Sequence, residues 1–71
     1  MTYKTFLLDI DDKIAHVRLN RPQKANALDA TAWEEMQTIF RTLDQDPAVR
    51  VIILSGEGKH FCAGIDLSQL M

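Results

Sequence analysis

The stretch from Val51 to Leu67 reads VIILSGEGKHFCAGIDL. Its apolar start, bounded by glycine, predicts a buried strand, and the glycine-spaced part that follows predicts a loop. A second helix is then predicted to open at Gly64. A backbone N–H in the first turn of a helix has no partner within that helix and lies at the positive end of its dipole. The stretch therefore predicts an oxyanion-binding backbone, with Ile65 as the donor.

Two short strands are predicted upstream of this stretch, at residues 5–10 and 14–19. The second alternates apolar and polar residues, and Asp11-Asp12-Lys13 forms the hairpin turn between the two strands. Residues 20–26 are polar. Because proline pushes the residue before it towards an extended conformation, Pro22 is expected to end the second strand and start a loop.

One long helix is predicted between this loop and the apolar strand. Asp29 is its predicted N-cap, with Thr31 and Glu34 as an alternative capping box, and the helix runs to about residue 43 or 44. Its core-facing stripe is predicted to be Trp33, Met36, Phe40 and Leu43; in a chain this short, the alternative is that part of the stripe is uncovered and available to a partner. Asp46-Pro47 closes the helix, and residues 49–54 follow as a strand that is apolar on both faces.

The predicted order is strand, strand, helix, strand, helix, which defines an α/β chain. A strand-helix-strand crossover is right-handed, so residues 14–19 and 51–54 are expected to be parallel neighbours or near neighbours. The loops at residues 20–28 and 55–66 would then leave the carboxyl ends of both strands. That edge is where open α/β sheets bind ligands, so the two loops are expected to share one crevice.

Composition excludes several classes of function. Eight basic and ten acidic residues give a net charge of −2, which argues against a general nucleic-acid or anionic-membrane binder. The single cysteine, Cys62, excludes an internal disulfide, and with His16 and His60 it lacks the spacing of a metal site. The early residues carry acidic side chains and no apolar signal-peptide core, so a cytoplasmic protein is expected.

Other apparent motifs have simpler interpretations. Cys62 as a nucleophile lacks a partner base in the sequence, so a packing role beside the loop is preferred. His60 either contacts a ligand phosphate or caps solvent, and the structural role is preferred. Gly56-Glu57-Gly58 lacks the third glycine of a dinucleotide fingerprint, and Gly58-Lys59 lacks the first glycine of a phosphate loop. For Asp66, the preferred interpretation is an acidic residue in the first turn of a helix.

Residues 61–67, FCAGIDL, closely resemble the first acyl-thioester signature of the crotonase superfamily, the enoyl-CoA hydratases and isomerases. Residues 19–22 (LNRP) and 24–28 (KANAL) resemble the early coenzyme A loop of that family, at the expected separation. The ending GIDL resembles most the dienoyl-CoA isomerase branch. The resemblance implies that residues 1–71 are the amino-terminal part of a single crotonase-like domain, a β-β-α-β-α start of the spiral fold that is incomplete as it stands.

The resemblance also assigns site residues. It implies that Ile65 donates one of two oxyanion-hole N–H groups, and that the second donor and the acid-base residues lie further along the chain. Arg21 and Lys24 match positions that approach the coenzyme A phosphates, in agreement with the preference of Arg and Lys for phosphate. The residues implied in acyl-CoA binding are Arg21, Lys24, Ala25, Ala27, Ala63, Gly64, Ile65, Asp66 and Leu67.

The implied activity is that of an enoyl-CoA hydratase or isomerase, in which a backbone oxyanion hole stabilises the enolate of a thioester. The resemblance implies no metal, no cofactor beyond the coenzyme A carried by the substrate, and a homo-oligomer, a trimer or hexamer. The alternative is a non-catalytic coenzyme A-binding or subunit-interaction remnant. A chain of this length buries only roughly 60% of its unfolded surface, and the visible carboxylates do not look like a catalytic base.

Overall fold

The computed structural model describes residues 3–66, which form a three-stranded sheet and one long helix. The strands are β1 (Phe6–Asp11), β2 (Ile14–Leu19) and β3 (Val51–Gly56), and the helix is α1 (Ala30–Asp44). A short 3-10 helix, Pro22–Lys24, which the sequence did not predict, lies in the loop after β2. The strand order is β1-β2-β3.

β1 and β2 form a tight antiparallel hairpin. Asp11 pairs with Ile14, so Asp12 and Lys13 are the two turn residues, and both have positive φ, 49° and 68°. This is the geometry of a type I′ turn, whose twist matches that of the flanking strands. The predicted hairpin is confirmed.

β2 and β3 are parallel and adjacent, as predicted. Their register runs from Ile14 opposite Val51 to Leu19 opposite Gly56. Both strands therefore end at the same edge of the sheet, and the chain segments that follow them leave the sheet side by side. Glu57 N–H donates to the Leu19 carbonyl at 2.8 Å, which extends the pairing into the second loop.

α1 begins at the predicted N-cap. The Asp29 carboxylate accepts a hydrogen bond from the Ala32 N–H at 2.8 Å, which satisfies one of the N–H groups that a helix start leaves without a partner. The predicted core stripe is confirmed at Leu43, which is buried, and at Met36, which packs against the core, and it is wrong at Trp33, which is 40% exposed. The helix instead buries Ala32 and Ile39. The buried apolar core consists of Phe6, Ala15, Val17, Leu19, Leu28, Ala32, Ile39 and Leu43.

β3 differs from the expectation of a strand buried on both faces. Residues 51–54 are between 38% and 51% exposed. Within residues 3–66, β3 is an edge strand with β2 as its single neighbour, and the most extensive contact of α1 with the sheet is with β1. The apolar sequence of β3 is typical of a strand that is more fully buried than β3 is by residues 3–66.

The helix predicted to open at Gly64 is not observed at residues 64–66. Ile65 instead forms an isolated parallel β-bridge with Leu28. The remainder of that predicted helix, including Leu67, lies outside the described residues. Across the part of the chain that the structure describes, no helix combines the length and the apolar character needed to cross a membrane.

Candidate functional site

The two loops after β2 and β3 enclose an open cleft of about 450 Å³. Its lining residues are Lys24 and Ala27 from the first loop, and Ala63, Ile65 and Asp66 from the second. All five are positions that the sequence predicted for acyl-CoA binding. The tertiary structure therefore brings the two predicted segments together at the carboxyl ends of the parallel strands, as expected for a ligand site in an α/β sheet.

Asn26 ties the two loops together from inside. Its side chain is fully buried; Oδ1 accepts from the Arg21 N–H at 2.8 Å, and Nδ2 donates to the carbonyl oxygens of Glu57 and His60 at 2.8 and 2.7 Å. One amide thus satisfies three backbone groups in two segments. The sequence placed Asn26 in a polar loop and in the KANAL match and assigned no role to its side chain, although asparagine in a loop is a common sign of a turn that bonds its own backbone.

The loop around Asn26 has an unusual backbone. Ala25 and Asn26 are consecutive residues with positive φ, 51° and 59°. Asparagine tolerates this left-handed conformation better than alanine does, and such conformations persist where surrounding bonds enforce them. The hydrogen bonds of Asn26 provide that enforcement, so the strained turn and the buried amide form one unit.

Gly56 makes this close approach possible. A Cβ atom at Gly56 would lie 2.3 Å from the Phe61 carbonyl oxygen and 2.8 Å from both Asn26 Nδ2 and the His60 carbonyl oxygen. These distances are shorter than any stable contact. The end of β3 must therefore be glycine for the second loop to fold back over Asn26.

Three backbone hydrogen bonds then align the second loop along the first. The Ala63 N–H donates to the Ala25 carbonyl at 3.0 Å, the Leu28 N–H to the Gly64 carbonyl at 2.7 Å, and the Asp66 N–H to the Leu28 carbonyl at 2.9 Å. Groups on both sides of Ile65 are thereby held against residues 25–28.

The Ile65 N–H points away from this ladder. In a strand, successive backbone groups point to opposite sides, so the bonds made by Gly64 and Asp66 turn the N–H of the residue between them outward. Within residues 3–66, this N–H donates to no acceptor. Ile65 lines the cleft, and it is half exposed. A held backbone donor with no partner among the described residues is what an oxyanion-binding group requires.

The segment that leads to Ile65 depends on Gly64. Its φ is +98°, a conformation that L-residues rarely adopt. The Cys62 Sγ atom accepts a weak hydrogen bond from the Gly64 N–H at 3.4 Å, and Cys62 packs against the core. This placement agrees with the structural role that the sequence favoured for Cys62.

Arg21 and Asp66 form a contact that the sequence did not reveal. Arg21 Nη2 lies 3.2 Å from an Asp66 carboxylate oxygen and 3.5 Å from Asp29 Oδ2, and Nη1 donates to the Ala27 carbonyl. The preferred interpretation of Asp66, as an acid in the first turn of a helix, is replaced by an ion pair across 45 residues. The predicted phosphate contact of Arg21 stays a prediction. Leu67, also predicted to bind substrate, lies outside the described residues.

Glu35, whose pKa is lowered, lies away from the cleft. Glu35, on α1, accepts hydrogen bonds from the Lys4 N–H and from the Thr5 N–H and hydroxyl, at 2.8, 2.8 and 2.5 Å. Burial raises the pKa of Glu35, but the Thr5 and Lys4 hydrogen bonds and the Lys4 charge outweigh it and hold the pKa below its ordinary value. This carboxylate joins the start of β1 to α1, and so serves the fold.

Metal binding finds no support in the side-chain arrangement. Over residues 3–66, no three His, Cys, Asp or Glu side chains group closely enough to hold a metal ion. His60 is exposed, and its carbonyl oxygen is the acceptor for Asn26. The charged side chains that line the cleft are those of Lys24 and Asp66.

Comparison with known proteins identifies the family. The sequence model described as enoyl-CoA hydratase/isomerase matches residues 9–71, which is most of the chain. The chain belongs to this family, the crotonase superfamily whose signatures residues 19–28 and 61–67 resemble. The predicted fold class is confirmed with it, because solved structures with the crotonase fold superpose on the strands and helix of this chain.

The chain is similar to relatives whose names describe different reactions. The chain is 46% identical to a hydroxycinnamoyl-CoA hydratase-lyase of Pseudomonas fluorescens, over 94% of this chain and 24% of that protein. It is also 46% identical to the peroxisomal Δ(3,5)-Δ(2,4)-dienoyl-CoA isomerase of Arabidopsis thaliana, over 97% of this chain and 26% of that protein. The chain thus spans about a quarter of the length of the curated relatives that it matches.

A solved structure matches the fold closely. The enoyl-CoA hydratase of Mycobacterium tuberculosis H37Rv superposes with a TM-score of 0.90 at 36% identity, covering 94% of this chain and 30% of that one. A hydratase-lyase, an isomerase and a hydratase therefore share this segment, so the segment alone does not distinguish their reactions.

Proposed function

We propose that this chain is the acyl-CoA thioester-binding segment of an enzyme of the hydratase or isomerase type. The observation that carries the proposal is the Ile65 N–H, which lines the cleft without an acceptor among residues 3–66 while its neighbours are held by hydrogen bonds to Leu28. The thioester carbonyl oxygen would accept a hydrogen bond from this N–H. Lys24, also in the cleft, would pair with the coenzyme A phosphates.

The proposed chemistry is stabilisation of an enolate. Loss of an α-proton, or addition of water to a conjugated double bond, moves negative charge onto the thioester oxygen. A preorganised N–H aimed at that oxygen is worth about 3 kcal/mol in the transition state. The proton transfers need a positioned acid or base, which the rest of the enzyme would supply together with the second N–H donor.

The alternative function is a coenzyme A-binding or subunit-interaction segment without turnover. It is favoured by one observation: the cleft is lined by a single carboxylate among the described residues, Asp66, and that group is ion-paired with Arg21. An acid held in this way is a poor proton acceptor. Turnover of an enoyl-CoA or a 3,5-dienoyl-CoA by the purified 71-residue chain would refute this alternative.

The test of the proposed function removes the Ile65 N–H from the intact polypeptide that carries these residues. Ile65→Pro deletes the donor and leaves both bridge hydrogen bonds available, because those use the Gly64 carbonyl and the Asp66 N–H. We expect turnover to fall about 100-fold to 1000-fold, with a much smaller change in affinity for coenzyme A. Ile65→Ala, which keeps the N–H, is the matched control and should retain most of the activity.

Replacing the Ile65 amide by an ester separates the effect of losing the N–H from the effect of the proline ring on the backbone. The ester keeps the side chain and lacks the N–H. A folded ester variant with normal turnover would show that Ile65 is not the oxyanion donor. Full activity in Ile65→Pro would lead to the same conclusion.

A further inference from the structure

Arg21 is placed as a structural link between the two loops. Its guanidinium makes three contacts: Nη1 donates to the Ala27 carbonyl, and Nη2 faces the carboxylates of Asp66 at 3.2 Å and Asp29 at 3.5 Å. The Arg21 side chain is 13% exposed, and those of Asp29 and Asp66 are 28% and 19% exposed. A largely buried guanidinium with two carboxylates is already neutralised and hydrogen-bonded.

These three contacts surround the Leu28–Ile65 bridge. Ala27 and Asp29 are the residues on either side of Leu28, and Asp66 follows Ile65. Asp29 is also the N-cap of α1. The guanidinium therefore connects the bridge to the start of the long helix, and the planar fork of arginine suits several acceptors at fixed positions.

The two cations of the first loop have different surroundings. Lys24 is exposed and lines the cleft, with no ion pair to residues 3–66. A phosphate approaching Arg21 would meet the negative charges of Asp29 and Asp66 at the same guanidinium, and the desolvated ion pairs would have to break. Lys24 is thus suited to a ligand anion and Arg21 to the protein's own acids.

From this geometry we infer that Arg21 is a positioning residue, which acts through Asp66 and the Ala27 carbonyl to hold the Ile65 N–H towards the reacting oxygen. The inference rests on the proposed function and adds a role that differs from phosphate binding. Loss of Arg21 should impair the transition state more than the binding of substrate, because a misplaced catalytic group costs rate.

The experiment compares Arg21→Ala, Arg21→Lys and Lys24→Ala in the intact polypeptide. Arg21→Ala should lower kcat by about tenfold to 100-fold, with KM within about threefold and an unchanged salt dependence of binding. Arg21→Lys keeps the positive charge but lacks the planar guanidinium group. Its kcat should therefore be nearly as low as that of Arg21→Ala. Guanidinium ion added at millimolar concentration should restore part of the Arg21→Ala activity, whereas methylammonium should not.

Asp66→Asn provides a second test if Arg21→Ala does not fold. It keeps the Ala27 and Asp29 contacts of Arg21, and it should lower kcat in the same direction. In a double-mutant cycle with Arg21→Lys, the two losses in kcat should be less than multiplicative, because both remove one interaction. Independent, multiplicative effects would overturn the inference.

Amide hydrogen exchange gives a readout that does not depend on turnover. Arg21→Lys and Asp66→Asn should each speed exchange at the Leu28 and Asp66 N–H groups by about tenfold or more, with protection in β1 and β2 unchanged. Unchanged exchange at both amides would overturn the inference. So would a salt-dependent loss of affinity for coenzyme A in Arg21→Lys with normal kcat. A wild-type polypeptide without turnover but with Arg21-dependent exchange would instead refute the proposed function alone.

Discussion

Leu28 and Ile65 form a parallel β-bridge in which Leu28 both donates and accepts. Its N–H bonds the Gly64 carbonyl at 2.7 Å, and its carbonyl accepts from the Asp66 N–H at 2.9 Å. The Ile65 N–H lies between these two groups on the opposite side of the backbone. A segment separated from Leu28 by the whole of α1 and β3 is thus held in a defined orientation by one residue.

Gly64→Ala should disturb the direction of the Ile65 N–H. An alanine at φ +98° costs about 1–3 kcal/mol, while an added Cβ meets no atom within 4 Å. One way for the backbone to relieve the strain is to rotate the peptide that carries the Ile65 N–H. We expect kcat to fall about tenfold or more, which corresponds to about 1.4 kcal/mol.

D-Alanine at position 64, introduced by peptide ligation, is the control for this prediction. It favours positive φ and adds the same atom, so it should retain most of the turnover. Equal losses with both enantiomers would contradict the backbone explanation.

Asn26→Ala should weaken the attachment of the second loop to the first, which depends on the Asn26 side-chain hydrogen bonds. It removes three hydrogen bonds and leaves the carbonyl oxygens of Glu57 and His60 without their buried donor. Each buried group left unsatisfied costs about 1–3 kcal/mol. We therefore expect the free energy of unfolding to fall by several kcal/mol, measured by denaturant titration. A loss below about 0.5 kcal/mol would show that the amide contributes little.

Gly56→Ala, at the end of β3, tests the same attachment of the second loop over Asn26. The added Cβ would clash with the Phe61 carbonyl and the Asn26 amide, so the second loop must move outward. Overpacking of this kind costs about 1–3 kcal/mol. In Asn26→Ala, where one of the clashing groups is absent, the same substitution should cost less; an undiminished cost would place the strain elsewhere.

Glu35 should make stability depend on pH in the acid range. Its pKa is held below the ordinary value of about 4.5 in the folded state, so the unfolded chain binds the proton more readily. The resulting stabilisation is fully present above about pH 4.5 and is lost as the pH falls through the lower, folded-state pKa. Glu35→Gln should flatten this part of the unfolding free energy against pH, and Glu34→Gln, at an exposed neighbour, should not.

Lys24→Ala should weaken binding of acyl-CoA in a salt-dependent way. Lys24 is exposed beside the cleft, so its attraction for phosphate is screened as ionic strength rises. We expect Kd to increase and its slope against salt to decrease, with kcat at saturation nearly unchanged. Arg50→Ala, which removes an exposed cation just before β3 at the opposite end of the strand, should leave binding unchanged. Loss of kcat with unchanged Kd would refute the role of Lys24.

Much of the architecture followed from local patterns. The alternation of residues 14–19 and the Asp29 cap predicted β2 and the start of α1, and both are observed. Helical periodicity gave a wrong prediction at Trp33. Periodicity identifies the apolar side of a helix, but not which positions on that side pack against the sheet. The exposure of β3 has a similar explanation. An apolar strand predicts that the strand is buried, but it does not identify the part of the protein that covers it.

At the cleft, the sequence was enough to predict which two segments come together, because both signatures occur in order and the crossover rule places their loops at one edge of the sheet. The contacts that hold those segments against each other became visible in the folded chain. The Arg21–Asp66 ion pair and the Asn26 hydrogen bonds to Glu57 and His60 link residues 31 to 45 positions apart, and local propensities do not predict such partners. Long-range polar contacts depend on the folded backbone, which brings one donor and one acceptor to hydrogen-bond distance among many that the sequence offers.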